Sequence, residues 1–200
     1  MEGGFPPGPV KSIGMPMPMV DGPEKISGHA QYTADFYDSD ALAGAIKRST
    51  VSHARILSVD VSAAAALPGV RAVITGSETD EGHGVLPVAR TELPIAFDRV
   101  RYRGEPVAAV AADSIEIARK ACDLIRVEYE ELPAYYTPEE ASAEGAVDLH
   151  EHRPGNVERH VDYEIGDVEA GFAEADLIHE TEYHCAEVCQ VQTEPHAAFA

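Results

Sequence analysis

Two thiols and two imidazoles crowd one late stretch of this 200-residue chain, His184-Cys185-Ala-Glu-Val-Cys189, with Glu194 and His196 just after it. These are the ligand types of a tetrahedral zinc site. Their spacing argues against one. Leu177 to Val191 alternates apolar and polar residues as a strand does, which would set Cys185 and Cys189 about 13 Å apart. A closed site needs a tight knuckle with Gly or Asp between the thiols, and Ala-Glu-Val stands there instead. The pair therefore reads as half-buried thiols in a sheet. His150-Glu-His152 is of a type that binds metal or senses pH, but in a polar stretch it reads as solvated side chains.

Other chemistries leave equally little trace. Gly3-Gly4, Gly82-x-Gly84 and Gly166 follow no strand-to-helix turn, and neither G-x-x-x-x-G-K-[ST] nor G-x-G-x-x-G occurs. There is no G-x-S-x-G nucleophile turn. Arg101-Tyr-Arg-Gly-Glu-Pro106 reads as a backbone bend ahead of a buried strand, with Arg101, Arg103 and Glu105 as a rim of ion pairs. Spacing alone thus assigns no catalytic, cofactor-binding or metal-binding residue.

The elements around these groups are short. Leu42 to Lys47, Ala54 to Val59, Val70 to Thr75 and Val127 to Glu130 read as strands, and Asp60 to Leu67 as an Ala-rich helix stopped by Pro68-Gly69. Val107-Ala-Ala-Val-Ala-Ala112 is a continuous small-apolar run, the pattern of a strand buried on both faces. Residues 76–99 read as a long loop with Val85-Leu-Pro-Val88 embedded in it. Ser114 to Ile125 has one apolar stripe at helical spacing, with Asp113 as its cap. With the strands on either side it makes a βαβ-like unit. Thr137-Pro-Glu-Glu140 opens another helix, and Asp167 caps a turn at 166–172. A second region opens with Val157 to Ile165, and Leu177 to Val191 alternates apolar and polar residues as a strand does. Five prolines in the first 20 residues make an extended arm, and its three methionines suit either an apolar surface, such as a partner's, or a floppy leader.

Composition narrows the function classes. Fifteen Lys and Arg against 35 Asp and Glu give a net charge of −20, the wrong sign for nucleic acid or an anionic membrane. At 44% hydrophobic, the chain is no disordered acidic tail. No apolar run reaches the ~18–20 residues of a membrane span. Three cysteines cannot all pair within the chain, and the N-terminus lacks the pattern of a signal peptide, so cytoplasm is the expectation.

The residues also carry a resemblance. Val20-Asp-Gly-Pro-Glu-Lys-Ile-Ser-Gly-His-Ala-Gln-Tyr-Thr-Ala-Asp35 resembles the opening of the large, molybdenum-cofactor subunit of the xanthine dehydrogenase and aldehyde oxidase family. Ser52-His-Ala-Arg-Ile56 and Leu67-Pro-Gly-Val-Arg-Ala-Val73 follow in the family's order, and Val100 to Ala111 is similar to its N-terminal signature. Val127 to Pro133, Gly166 to Asp176 and Glu194 to Ala198 complete seven motifs across about 20–200. Gly84-Val-Leu-Pro-Val88, Leu132 to Pro138 and Tyr183 to Val188 look most like the 4-hydroxybenzoyl-CoA reductase large subunit. Glu194-Pro-His196 departs from the Glu-Leu-Asn expected there and matches the broader hydroxylase pattern.

The resemblance implies an α+β fold: an extended arm over 1–19, an α/β hammerhead domain over 20–140, a linker over 141–156 and the first strands of the molybdopterin-binding domain over 157–200. It places the pterin-contacting segments, the substrate-positioning residues and the catalytic glutamate beyond Ala200. This segment would then be inactive alone and bind no cofactor by itself. The complete subunit would carry a molybdopterin-type cofactor, and partner subunits would hold iron–sulfur centres and FAD. The implied chemistry is transfer of a water-derived oxygen at molybdenum, or the reverse reductive dehydroxylation, on aromatic, heterocyclic or aldehyde substrates. A rival expectation is a self-standing interaction or scaffold module with the hammerhead fold. The apolar end Pro195-His-Ala-Ala-Phe-Ala200 speaks against it.

Overall fold

Alanine-rich strands pack closely against a helix because a methyl group leaves no room for anything between them, and one such strand centres this molecule. A computed structural model describes residues 14–36, 38–79, 82–84, 90–194 and 196–200. Most of the N-terminal arm and all of Val85-Leu-Pro-Val88 lie outside the described residues. Two compact units emerge: one joins the N-terminal residues up to Ser39 with Glu182–Ala200, the other is Asp40–Thr181.

In the smaller unit, α1 (Gly22–Ser27) has Pro23 in its first turn and ends at Gly28 in the left-handed conformation. The Thr33 N–H donates to Glu194 Oε1 at 3.3 Å. Met15, Met17 and Met19 are exposed.

The larger unit holds β1 (Ala43–Arg48), β2 (Ala54–Asp60), α2 (Ser62–Ala65), β3 (Val70–Thr75), β4 (Arg99–Val100), β5 (Pro106–Ala112), α3 (Ile115–Leu124), β6 (Arg126–Glu131), α4 (Pro138–Ala141) and α5 (Val168–Glu174). Among the described residues two three-stranded antiparallel sheets form, ordered β1-β5-β3 and β4-β2-β6. The α+β class is as expected. The βαβ-like unit is not: β5 and β6 flank α3 but enter different sheets, so no parallel crossover joins them. Each strand instead takes antiparallel partners from the 43–75 region, far back along the chain.

One core lies between the first sheet and its helices. Ala108, Val110 and Ala112 of β5 meet Ala118, Ala121 and Cys122 of α3, with Ala64 of α2 beside them. The apolar stripe of α3 is as read, but its cap is displaced by one residue. Ser114, not Asp113, caps it by accepting the Ile117 N–H at 3.4 Å. Asp113 is occupied by the Arg71 guanidinium, at 2.6 and 3.0 Å. A smaller core joins Val107 at the start of β5 to Ala54, Ala96 and Val100. Burial of β5 on both faces holds at Val107, whereas Ala109 and Ala111 are half-exposed on the face away from α3. Alanines remove little area from water, so that face makes a weak demand for cover.

α4 and α5 begin where expected, with Thr137 Oγ1 accepting the Glu140 N–H and Asp167 Oδ1 the Ala170 N–H. The strand read over 177–191 does not form. Every described residue from Val157 onward is exposed, and none pairs in a ladder.

Candidate functional site

Four stretches far apart in sequence, with Ala141 of α4, meet around a cavity of about 560 Å³: Ser52-His53, the 101–103 turn, Pro133 to Tyr136 after β6, and parts of 149–158. Each is fixed by a local reason. Gly104, at φ +96°, lets the chain reverse, and no Cβ could adopt that conformation without strain. Its N–H donates to Ser49 O at 3.0 Å, its carbonyl accepts from Arg48 Nη1 at 2.9 Å, and the Ser49 N–H donates to Glu105 O at 2.8 Å. The Glu105 carboxylate is buried beneath the turn and accepts the Arg101 backbone N–H. Burial pushes its pKa above the usual carboxylate value, against the pull of that hydrogen bond and of the Arg101 charge.

The bend is therefore as read, but the rim of ion pairs is not. Arg101 donates to the carbonyls of Leu149 and Arg99, both at 3.3 Å, and Glu105 bonds backbone. The pair formed here joins Arg99 to Glu151 at 3.4 Å. A guanidinium that reaches main-chain acceptors ties a loop down without consuming a carboxylate.

The 149–158 wall is organised by Asn156. Its Nδ2 donates to Ala141 O and Val147 O at 2.8 and 3.1 Å, and its Oδ1 accepts the Leu149 N–H at 2.7 Å. Asp148 Oδ1 accepts the Gly155 N–H at 2.8 Å. Arg153 and Glu158 form a two-pronged pair at 2.7 and 3.1 Å. Glu158 is the one carboxylate on the described cavity lining, against Arg101, Arg103 and Arg153.

Two imidazoles in the wall are unusual. His53 is almost fully buried, and its Nδ1 lies 2.6 Å from Pro133 O. A carbonyl only accepts, so in the neutral ring Nδ1 carries the proton and Nε2 the lone pair. No donor among the described residues meets it. His150 Nδ1 is likewise buried without a partner, and burial together with Arg101 pushes its pKa down. His150 packs edge-on against His152, with ring centres 5.7 Å apart.

The other groups considered for chemistry lie outside this lining. Cys185 and Cys189 are exposed, His184 reaches Glu182 at 3.4 Å, and His196 contacts Gln192. Among the described residues no three His, Cys, Asp or Glu side chains gather as metal ligands. The half-buried setting expected for the two thiols fails with the strand that was to supply it.

Known proteins share much of this chain. Residues 27–133 match the family model described as aldehyde oxidase and xanthine dehydrogenase, a/b hammerhead domain. The chain belongs to that family. It is 34% identical over 181 residues to the nicotinate dehydrogenase large molybdopterin subunit of Eubacterium barkeri, covering 90% of this chain and 42% of that protein. It is 38% identical over 163 residues to a probable xanthine dehydrogenase subunit of Bacillus subtilis, covering 82% and 22%. Among solved structures, the aldehyde oxidoreductase of Desulfovibrio gigas superposes with a TM-score of 0.66 at 29% identity, over 80% of this chain and 19% of that one. The chain thus spans well under half the length of these proteins.

The cavity crosses the hammerhead segment and the residues just after it. Its parts were visible in the sequence as separate motifs, Ser52-His53, Arg101-Tyr-Arg, Leu132 to Pro138 and His150 to Asn156. Nothing in their spacing announced that they meet.

Proposed function

We propose that this chain is the N-terminal part of the large subunit of a molybdenum-dependent oxidoreductase. The observation that carries this reading is the hammerhead match over 27–133, within alignments that continue across most of the chain. The complete subunit holds a molybdopterin-type cofactor that supplies oxygen-atom transfer, and iron–sulfur and flavin subunits carry the electrons. The described residues make no bed for that group. From Val157 onward every one of them is exposed, and no metal-ligand cluster forms among them. No catalytic step is therefore assigned to this chain.

Its part is structural. It presents the two-sheet domain to the remainder of the large subunit and to the partner subunits, and residues 157–200 supply strands that pair with chain beyond this segment. That role fits apolar side chains such as Tyr163, Ile165, Leu177 and Val188, which stand in water here. No helix among the described residues is long and apolar enough to cross a membrane. The three cysteines are free thiols, which fits a reducing compartment such as the cytoplasm. Within the class, the motifs at 84–88, 132–138 and 183–188 favour a reductase of the 4-hydroxybenzoyl-CoA type.

Molybdenum and pterin analysis of the purified 200-residue chain tests the first part. Neither should be present, and stoichiometric cofactor would overturn the assignment of the site to the rest of the subunit. Turnover of 4-hydroxybenzoyl-CoA by the assembled complex tests the second; turnover of an aldehyde or a purine instead would overturn the finer reading.

A further inference from the structure

We propose that the cavity bounded by the 101–103 turn and the 149–158 wall binds a small, flat organic acid that also carries a hydrogen-bond donor. Such a site is independent of where the redox chemistry lies.

Charge is the first observation. The chain as a whole is at −20, yet this lining sets three guanidinium groups against a single carboxylate. Arg153 is matched by Glu158, and Arg101 donates to two carbonyls with the buried Glu105 carboxyl group nearby. Arg103 has no hydrogen-bond or ion-pair partner among the described residues. An unmatched guanidinium in an acidic protein selects an anion, and the fork geometry of arginine suits a carboxylate.

Shape is the second. Pro133, Leu149 and the rings of Tyr135 and Tyr136 give the cavity apolar walls, and about 560 Å³ lies within the range of small-ligand sites. The Tyr135 hydroxyl accepts the Val147 N–H at 2.9 Å, so its own proton is free to donate. A flat apolar body with one charged end meets both features.

The third observation sets the donor. His53 Nε2 is a buried acceptor whose tautomer is fixed by Pro133 O and which no donor meets among the described residues. Native structures rarely leave such an atom unpaired. A ligand N–H or O–H at the far end from its carboxylate completes the wall.

Equilibrium titration of the 200-residue chain with three probes tests the proposal: benzoate, benzamide and 4-aminobenzoate. Benzoate should bind saturably, benzamide about tenfold more weakly, and 4-aminobenzoate more tightly than benzoate. Arg103→Gln, which alters an exposed side chain without partners, should weaken benzoate by about fivefold or more and leave benzamide unchanged. Equal affinity for benzoate and benzamide would overturn the anion reading. Unaltered benzoate binding in Arg103→Gln would overturn the site, as would failure of all three probes to bind the folded chain. Inorganic phosphate that competes as well as benzoate would remove the requirement for a flat body and overturn that part.

Discussion

β6 and the stretch from Leu177 to Val191 carry the same kind of pattern, apolar and polar residues in alternation, and end differently. Val127 and Tyr129 of β6 turn toward the core while Glu128 and Glu130 face outward, because β2 runs alongside and pairs along its length. Leu177 and Val188 are each 84% exposed, and no strand among the described residues pairs with them. Alternation is a statement about which side chains share a face. It becomes a strand only where a neighbour completes the hydrogen-bond ladder. The apolar surface left in water among the described residues from Val157 onward is what the proposed pairing with chain outside this segment would cover.

The sharpest way to break this contrast is to place a charge in each region. Val107→Asp, at a fully buried position, is expected to cost about 4 kcal/mol or more, enough to unfold the domain. Leu177→Asp should stay within about 0.5 kcal/mol. Urea denaturation followed by circular dichroism reads both. An equal cost at the two sites would show that 177–191 is packed in solution.

Glycines give a second, smaller contrast. A Cβ on Gly76 would fall 2.3 Å from Ala96 O, where main chain crosses main chain, while a Cβ on Gly44 meets nothing within 4 Å. Gly76→Ala should lose about 2–3 kcal/mol and Gly44→Ala almost nothing. Asn156→Ala should cost about 2 kcal/mol, since it strips three hydrogen bonds from the cavity wall. Amide exchange should then quicken across 147–156 before the sheets are affected, which separates wall from core.

The smallest effect is in pH. Glu105 holds its proton more tightly when folded than when unfolded, so near and above pH 4.5 the unfolded chain binds fewer protons. Stability due to this group is therefore full below that value and declines as pH rises through the raised folded pKa. Glu105→Gln keeps an acceptor for the Arg101 N–H and should flatten that part of the stability–pH curve. A curve unchanged by the substitution would show that the buried carboxylate is solvated in solution.

Much of the hammerhead was legible in local pattern. The boundaries of β1, β2, β3 and β5 fall within a residue or two of those read from apolar runs, and Thr137 and Asp167 cap the helices their side chains predict. Pairing was not legible. The passage from β5 through α3 to β6 looked like one crossover unit, and only the long-range partners β1, β3 and β2 show two antiparallel sheets. Arg101 looked like one member of an ion-pair rim, because a sequence shows charges but not the carbonyls within their reach.

The cavity sits at the limit of that distinction. Residue type alone put arginines, tyrosines and a histidine into four separate motifs, and the −20 net charge already made any cluster of cations stand out. Side-chain chemistry and short-range periodicity are properties of neighbours along the chain, so the sequence determined most elements of the hammerhead, the caps at Thr137 and Asp167, and the family. The meeting of Ser52-His53 with Arg101, Pro133 and His150 depends on chain reversals that bring together residues up to about a hundred positions apart. The lone pair on His53 Nε2 exists only because Pro133 O claims the other nitrogen, and that contact is a fact of tertiary structure.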